Sequence, residues 1–328
     1  MSFAEIVGHQ RQLKTLQSAM AGGRLHHAYL FLGSDGVGKR LVAMSLAKAI
    51  HCVASDQDYC GQCVNCARIT SGNHPDVRLI EPLADKKEIS IQQIRDLQRE
   101  LNYRSFGGKR KVAIIDPASL MNSSAQNALL KTLEEPPVDS LIILIASNAG
   151  GLLPTLRSRC LWLSFAPLSG AQVAAFLESK HGMRAEEAKL LAAMSMGSIG
   201  AAANLDKDEL MENRRIWSSM LSSLKAEDYS AAILAAEALA KNRDEALKFL
   251  KWAESWYRDL LVYGATQRSD ELVNLDMLPQ IDQQATKSSV DCILSALSQT
   301  TGASASIQRN LNRRMVLEKF LFEVVRGR

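Results

Sequence analysis

Five short apolar runs punctuate the first half of the chain: Ala28–Leu32, Val77–Ile80, 112–115, 141–145 and 161–165. They are β-branched or Leu-rich and mostly non-alternating, and segments of helical periodicity separate them. A strand with one wet face alternates, whereas a strand covered on both faces does not. The runs therefore predict a buried parallel sheet with crossover helices. A doubly wound α/β domain ending near Pro167 follows. Proline then nearly disappears, with only Pro279 of the eight lying beyond Pro167, and Ala, Leu, Glu and Lys dominate. Val173, Phe176 and Leu177 fall on one helical face, Leu191 and Met194 on another, and Ser198 suits the cap of a short helix running to about Leu205. These predict a small three-helix lid over 168–206. From 207 to 328 the pattern is that of a helical bundle. Leu247, Phe249, Leu250, Trp252, Trp256 and Leu260 form a wide apolar stripe. The final helix carries Leu311, Met315, Leu317, Leu321 and Val324, and the small-residue stretch 302–306 reads as a loop before it.

With 328 residues, the chain is too long for one small core. A hydrophobic content of 47% with 23% charged residues is that of a globular protein. A net charge of +4, spread along the chain, permits a local basic surface but does not indicate nucleic-acid binding. The first ten residues lack a basic segment followed by an apolar one, and the most hydrophobic stretch, 141–146, is strand-sized. A cytoplasmic protein is expected, and in a reducing compartment six cysteines are expected to be thiols.

After the first strand comes Gly33-Ser34-Asp35-Gly36-Val37-Gly38-Lys39-Arg40, leading into a helical run. This is Gly-x-x-x-x-Gly-Lys in a strand–loop–helix context. Its glycines let backbone N–H groups surround phosphate oxygens while the lysine reaches the outer phosphates. Gly33, Gly36, Gly38 and Lys39 are thus candidate phosphate-loop residues. The following position needs Ser or Thr to hold Mg²⁺, and here it is Arg40. Asp116 ends the third apolar run at the metal-side position. The next residue, where a water-polarising Glu is expected, is Pro117. Hydrolysis by this chain is not expected, and nucleotide binding is weak or absent.

Cys52, Cys60, Cys63 and Cys66 are spaced x7, x2, x2. Four thiolates so close fit a structural, tetrahedral Zn²⁺ module over about 52–66; an iron–sulfur cluster is the competing reading, although the ferredoxin run with its trailing Cys-Pro is absent. Cys160 and Cys292 are isolated, His74 lies near the cluster where a fifth ligand is unnecessary, and His26 and His27 read as structural.

Residues 24–38 (RLHHAYLFLGSDGVG), the four cysteines, residues 127–137 (NALLKTLEEPP) and residues 156–160 (LRSRC) together make the chain resemble the AAA+ clamp-loader subunits of bacterial DNA polymerase III. The resemblance covers most of residues 1–206. It implies an AAA+ P-loop domain with a five-stranded parallel sheet over 1–167, the lid over 168–206, and an all-α collar (oligomerisation) domain over 207–328. It also implies that Arg159, in Ser158-Arg159-Cys160, is an arginine finger acting in trans on a neighbour's ATP, with Arg157 as the rival side chain. Active members carry a nucleotide-sensing arginine in Gly-x-x-Arg; this chain has Gly197-Ser198-Ile199-Gly200, while Ser147 and Asn148 keep a first sensor region polar. The departures favour a non-hydrolysing member over a gamma- or tau-like motor, which stays the alternative. The implied partners are gamma/tau and delta subunits in a heteropentamer, primer–template DNA through the complex, and the sliding clamp mainly through other subunits. By resemblance the chain is a subunit of a nucleotidyltransferase holoenzyme, with no catalysis of its own expected. Helix N-termini and lysines near 127–131 are candidate phosphate contacts, and a helix capped and solvated for stability explains the same residues equally well.

Overall fold

The computed structural model describes residues 2–84, 86–107, 109–195, 197–204, 206–269, 271–309 and 311–327. The chain divides into two compact units, Met1–Gly182 with Met196–Ala203, and Met183–Ser195 with Asn204–Arg328.

The first unit is a three-layer α/β structure. Strands β1 (Ala28–Leu32), β2 (Val77–Ile80), β3 (Lys111–Ile115), β4 (Ser140–Ala146) and β5 (Leu161–Ser164) form one parallel sheet in the order β2-β3-β4-β1-β5. All seven residues of β4 are buried, which is why its sequence does not alternate. Helices α1 (Gln10–Ala21), α2 (Lys39–His51), α3 (Val64–Thr70), α4 (Ile91–Asn102), α5 (Ser123–Glu134), α6 (Pro154–Arg157) and α7 (Gly170–His181) belong to this unit. One core joins Tyr29, Phe31 and Ile143 to α2 through Val42 and Leu46; another joins Leu30, Ile142 and Leu144 to α4 and α5 through Leu97 and Leu129. Alternate strand residues thus feed opposite layers. Capping boxes at Ser90–Gln93 and Ser169–Gln172 start α4 and α7.

The stretch 168–206 holds α7, α8 (Ala185–Met194) and α9 (Ile199–Asn204). Ser198 accepts from the Ala201 N–H at 3.0 Å and caps α9, while Leu205 lies outside the described residues. Compactness groups α7 and most of α9 with the sheet, and α8 with the C-terminal unit.

The second unit is helical: α10 (Lys207–Ser223), α11 (Tyr229–Ala240), α12 (Arg243–Thr266), α13 (Leu278–Lys287), α14 (Val290–Gln308) and α15 (Arg313–Arg326). One expectation is corrected here. The stretch 302–306 is helix, not loop: Ile293, Ala296, Thr300, Ala303 and Ile307 are all buried at alternating three- and four-residue spacing, so one face of α14 runs through it. The α12 stripe is consumed inside the unit, with Phe249, Leu250, Trp252, Trp256 and Leu260 fully buried. On α15, Leu317, Leu321 and Val324 are buried but Met315 is exposed, as is Leu311 before it. Arg214, buried on α10, pairs with Asp276 at 2.7 Å and with the Asn274 side chain at 2.9 Å. Asp259 on α12 takes the N–H groups of Val273 and Asn274, fixing the segment before α13.

Candidate functional site

The phosphate loop follows β1 at the carboxyl edge of the sheet and opens α2. Gly36 (φ 74°) and Gly38 (φ 108°) take left-handed conformations, as a loop that turns its N–H groups inward requires. Lys39 is 5% exposed, and its Nζ donates to the carbonyls of Gly33 and of Ser34 (2.8 Å), with Asp35 at 3.8 Å. Burial lowers the Lys39 pKa, against the attraction of Asp35 and Asp116. Arg40 turns to the end of the sheet, where its Nε donates to Asp116 Oδ2 at 2.5 Å and its Nη2 to Glu81 Oε1. Partial burial opposes its charge, but the bonds to Glu81 and Asp116 raise its pKa further. A cavity of 320 Å³ beside the loop is bordered by Ile6, Lys39, Asp116, Phe176 and Ile199.

Glu81 belongs to no motif. Its position follows from register, because Ile80 pairs with Ile115, so the next residues, Glu81 and Asp116, leave neighbouring strands side by side. Topology could have revealed it; the linear sequence could not.

At the sensing-arginine position, Gly200 packs directly on the loop. Its N–H donates to the Gly36 carbonyl at 2.9 Å, and a Cβ on Gly200 would lie 3.0 Å from Gly36 Cα. A Cβ on Gly36 would lie 2.3 Å from Ser198 Oγ. Backbone contact thus stands where an arginine is expected. Ser147 and Asn148 follow β4 and are exposed.

Arg159 sits between α6 and β5, at the amino edge of the sheet. Its side chain is 36% exposed; Nη2 meets Glu134 Oε1 at 2.7 Å and Nη1 donates to the Thr155 carbonyl at 2.8 Å. The fold therefore joins the 156–160 segment to the end of α5, where Glu134 lies. Because β1 and β5 are parallel, Arg159 precedes its strand while the phosphate loop follows its own. The two lie at opposite ends of strands about 10 Å or more long. Arg157 is less free, with its Nε buried without a hydrogen-bond partner. Asn127 and Lys131 are exposed, but α5 begins at Ser123 under an Asn122 cap, so they lie within the helix and not at its N-terminus.

The four cysteines come together as the spacing predicts: one sulfur from each of Cys52, Cys60, Cys63 and Cys66 lies within 4.8 Å of the others. Backbone N–H groups of Cys63 (3.2 Å), Cys60 (3.4 Å) and Gln62 (3.5 Å) point at Cys60 or Cys52 sulfur, as in thiolate knuckles. Burial pushes the Cys66 thiol up to about 12. At Cys63 burial acts the same way but is overcome by backbone bonds from Val53 and Cys66, which bring it down to about 6. Four converging sulfurs that cannot all ionise by themselves fit a thiophilic divalent cation. Cys160 is buried, which pushes its thiol up to about 12.

His74 lies apart from the sulfurs, grouped with His51 and Asp76, all buried. Asp76 donates its N–H to His74 Nδ1 at 3.1 Å, and its carboxylate accepts from Phe106 and Gly107 at 2.9 and 3.1 Å. Burial lowers the His74 pKa, against the attraction of Asp76. Through the Asp76 carboxylate the group clasps residues 106–107.

A family model described as "DNA polymerase III, delta subunit" matches residues 8–169, and one described as "DNA polymerase III, delta subunit, C terminal" matches residues 209–325. The chain is 31% identical to the DNA polymerase III subunit delta' of Bacillus subtilis, over 97% of this chain and 96% of that one. It is 32% identical to the subunit delta' of Pseudomonas aeruginosa, over 94% and 95%. The subunit tau/gamma of Haemophilus influenzae is 31% identical over 85% of this chain, which spans 42% of that protein. With its parallel five-stranded core, the chain belongs to the delta' family of DNA polymerase III clamp-loader subunits.

Proposed function

We propose that this chain is a non-hydrolysing clamp-loader subunit that supplies Arg159 in trans to a neighbouring ATPase subunit while the complex places a sliding clamp on primed DNA. The observation that carries this reading is the position of Arg159. It is partly exposed, in the turn between α6 and β5, tethered by one carboxylate, and at the sheet edge opposite the chain's own phosphate loop. It cannot serve that loop, whereas a second subunit can present a triphosphate to it. Arg40, held by Asp116 and Glu81 where a hydroxyl and Mg²⁺ are needed, supports the absence of hydrolysis in cis. Pro117 has no acid–base chemistry to add.

In this reading the partners are gamma/tau and delta subunits, the C-terminal helical unit is the oligomerising collar, and the protein works in the cytoplasm. Zn²⁺ held by Cys52, Cys60, Cys63 and Cys66 is structural and stiffens the connection between α2 and α3. The chain touches replication chemistry only through the assembly.

The test is Arg159→Ala in the reconstituted loader. A finger is worth about 10³-fold or more at the site it completes. The ATPase rate should therefore fall by the share of one active site while the isolated chain keeps its unfolding curve. An unchanged rate removes the assignment, and Arg157→Ala is the control expected to leave the rate alone.

A further inference from the structure

We propose that Arg40 is a resident cation: its guanidinium holds the place of a divalent ion between Asp116 and Glu81 and keeps a dicarboxylate metal site closed. Neighbouring parallel strands bring the two carboxylates together, since Ile80 and Ile115 are register partners and the acids follow them. Both oxygens meet one planar group, Asp116 Oδ2 on Nε at 2.5 Å and Glu81 Oε1 on Nη2. Carboxylate oxygens are the ligands a hard cation prefers, taken at about 2.0–2.6 Å. The Asp116 side chain is 15% exposed, so its charge depends on a close counter-ion rather than on water.

Lys39, the next cation, feels the charge of Asp116 but donates to the carbonyls of Gly33 and Ser34 and lies beside Asp35. Removing Arg40 leaves Asp116 and Glu81 without the guanidinium that both contact, and Asp116, like Arg40, borders the 320 Å³ cavity. A serine in its place adds a third oxygen. Such a set prefers Mg²⁺ or Mn²⁺ to softer metals. Arg40 is thus a specificity-determining residue whose action is exclusion of the divalent ion, not mere lack of a ligand. This inference concerns the chain's own loop and does not depend on the role of Arg159.

Mn²⁺ titration of the zinc-loaded full chain, read by the electron paramagnetic resonance signal of free Mn²⁺, tests it. Arg40→Ser should bind one additional Mn²⁺ at least tenfold more tightly than the natural chain, and Arg40→Ser/Asp116→Asn should lose that ion. Arg40→Met, which keeps the aliphatic stem, should show a weaker gain. An Asp116-dependent Mn²⁺ site of equal affinity in the natural chain overturns the proposal. So does a folded Arg40→Ser or Arg40→Met that gains no ion. Loss of fold in both variants overturns it too, by making Arg40 a folding residue.

Discussion

Helix α2 has a binding motif at each end, and the two ends have met opposite fates. At its N-terminus, where the helix dipole favours anions, the chain places Lys39 and Arg40 and then satisfies both from within, through Asp35, Glu81 and Asp116. At its C-terminus, where the dipole favours cations, four sulfurs converge instead. The carbonyls of that end accept from the Asn65 side chain at 2.8 Å and from Lys109 Nζ at 3.0 Å. On the function proposed above, one end has exchanged an exogenous ligand for side chains, and the other awaits a metal. A motif can therefore keep its backbone shape after its chemistry has been internalised, and only the hydrogen-bond partners distinguish the two states.

The largest effect is expected at the sulfur end. Cys63→Ser, or exhaustive chelation, should reduce bound zinc from one equivalent to none and cost about 4 kcal/mol or more. Calorimetry should then show a Tm lower by roughly 10 °C. Equal melting with and without metal would erase the contrast between the two ends. Next is Gly36→Ala, which forces a left-handed φ on a side chain and drives it onto Ser198 Oγ. Urea unfolding should reveal a loss of about 2 kcal/mol, and a neutral result would deny the tight loop–α9 contact.

The smallest is a pH effect at Lys39. Burial holds its pKa below the ordinary 10.5 in the folded chain, so the unfolded chain keeps the proton to higher pH. Stability should rise as pH climbs from the folded value toward 10.5, and show no dependence on this group below both values. Urea midpoints between about pH 8 and 10, compared with those of Lys39→Met, isolate the slope. A steeper rise in the variant would reverse the sign.

Much of this was legible in the linear chain, because burial on both faces writes itself as continuous apolar runs. The strands fall where those runs lie, and the cysteine spacing alone brought four sulfurs together. What stayed hidden depended on register or on small residues. Glu81, 41 residues from Arg40 in the chain, meets it beside Asp116 only because β2 and β3 lie in parallel register. The stretch 302–306 looked like a loop because glycine and serine are weak helix formers. Yet Thr300, Ala303 and Ile307 continued a buried stripe that a longer window would have caught. The α12 stripe signalled burial without saying in what, and its partners proved to be internal.

The hydrogen bond from Gly200 to Gly36 has a consequence for signalling within an assembly. Since main-chain atoms make it, no phosphate has to arrive for α9 to rest on the loop, and none has to leave for the contact to persist. The posture of this segment is settled when the chain folds rather than at each turn of a chemical cycle. In the assembly proposed above, it would offer a fixed bearing beside subunits that reset with every nucleotide.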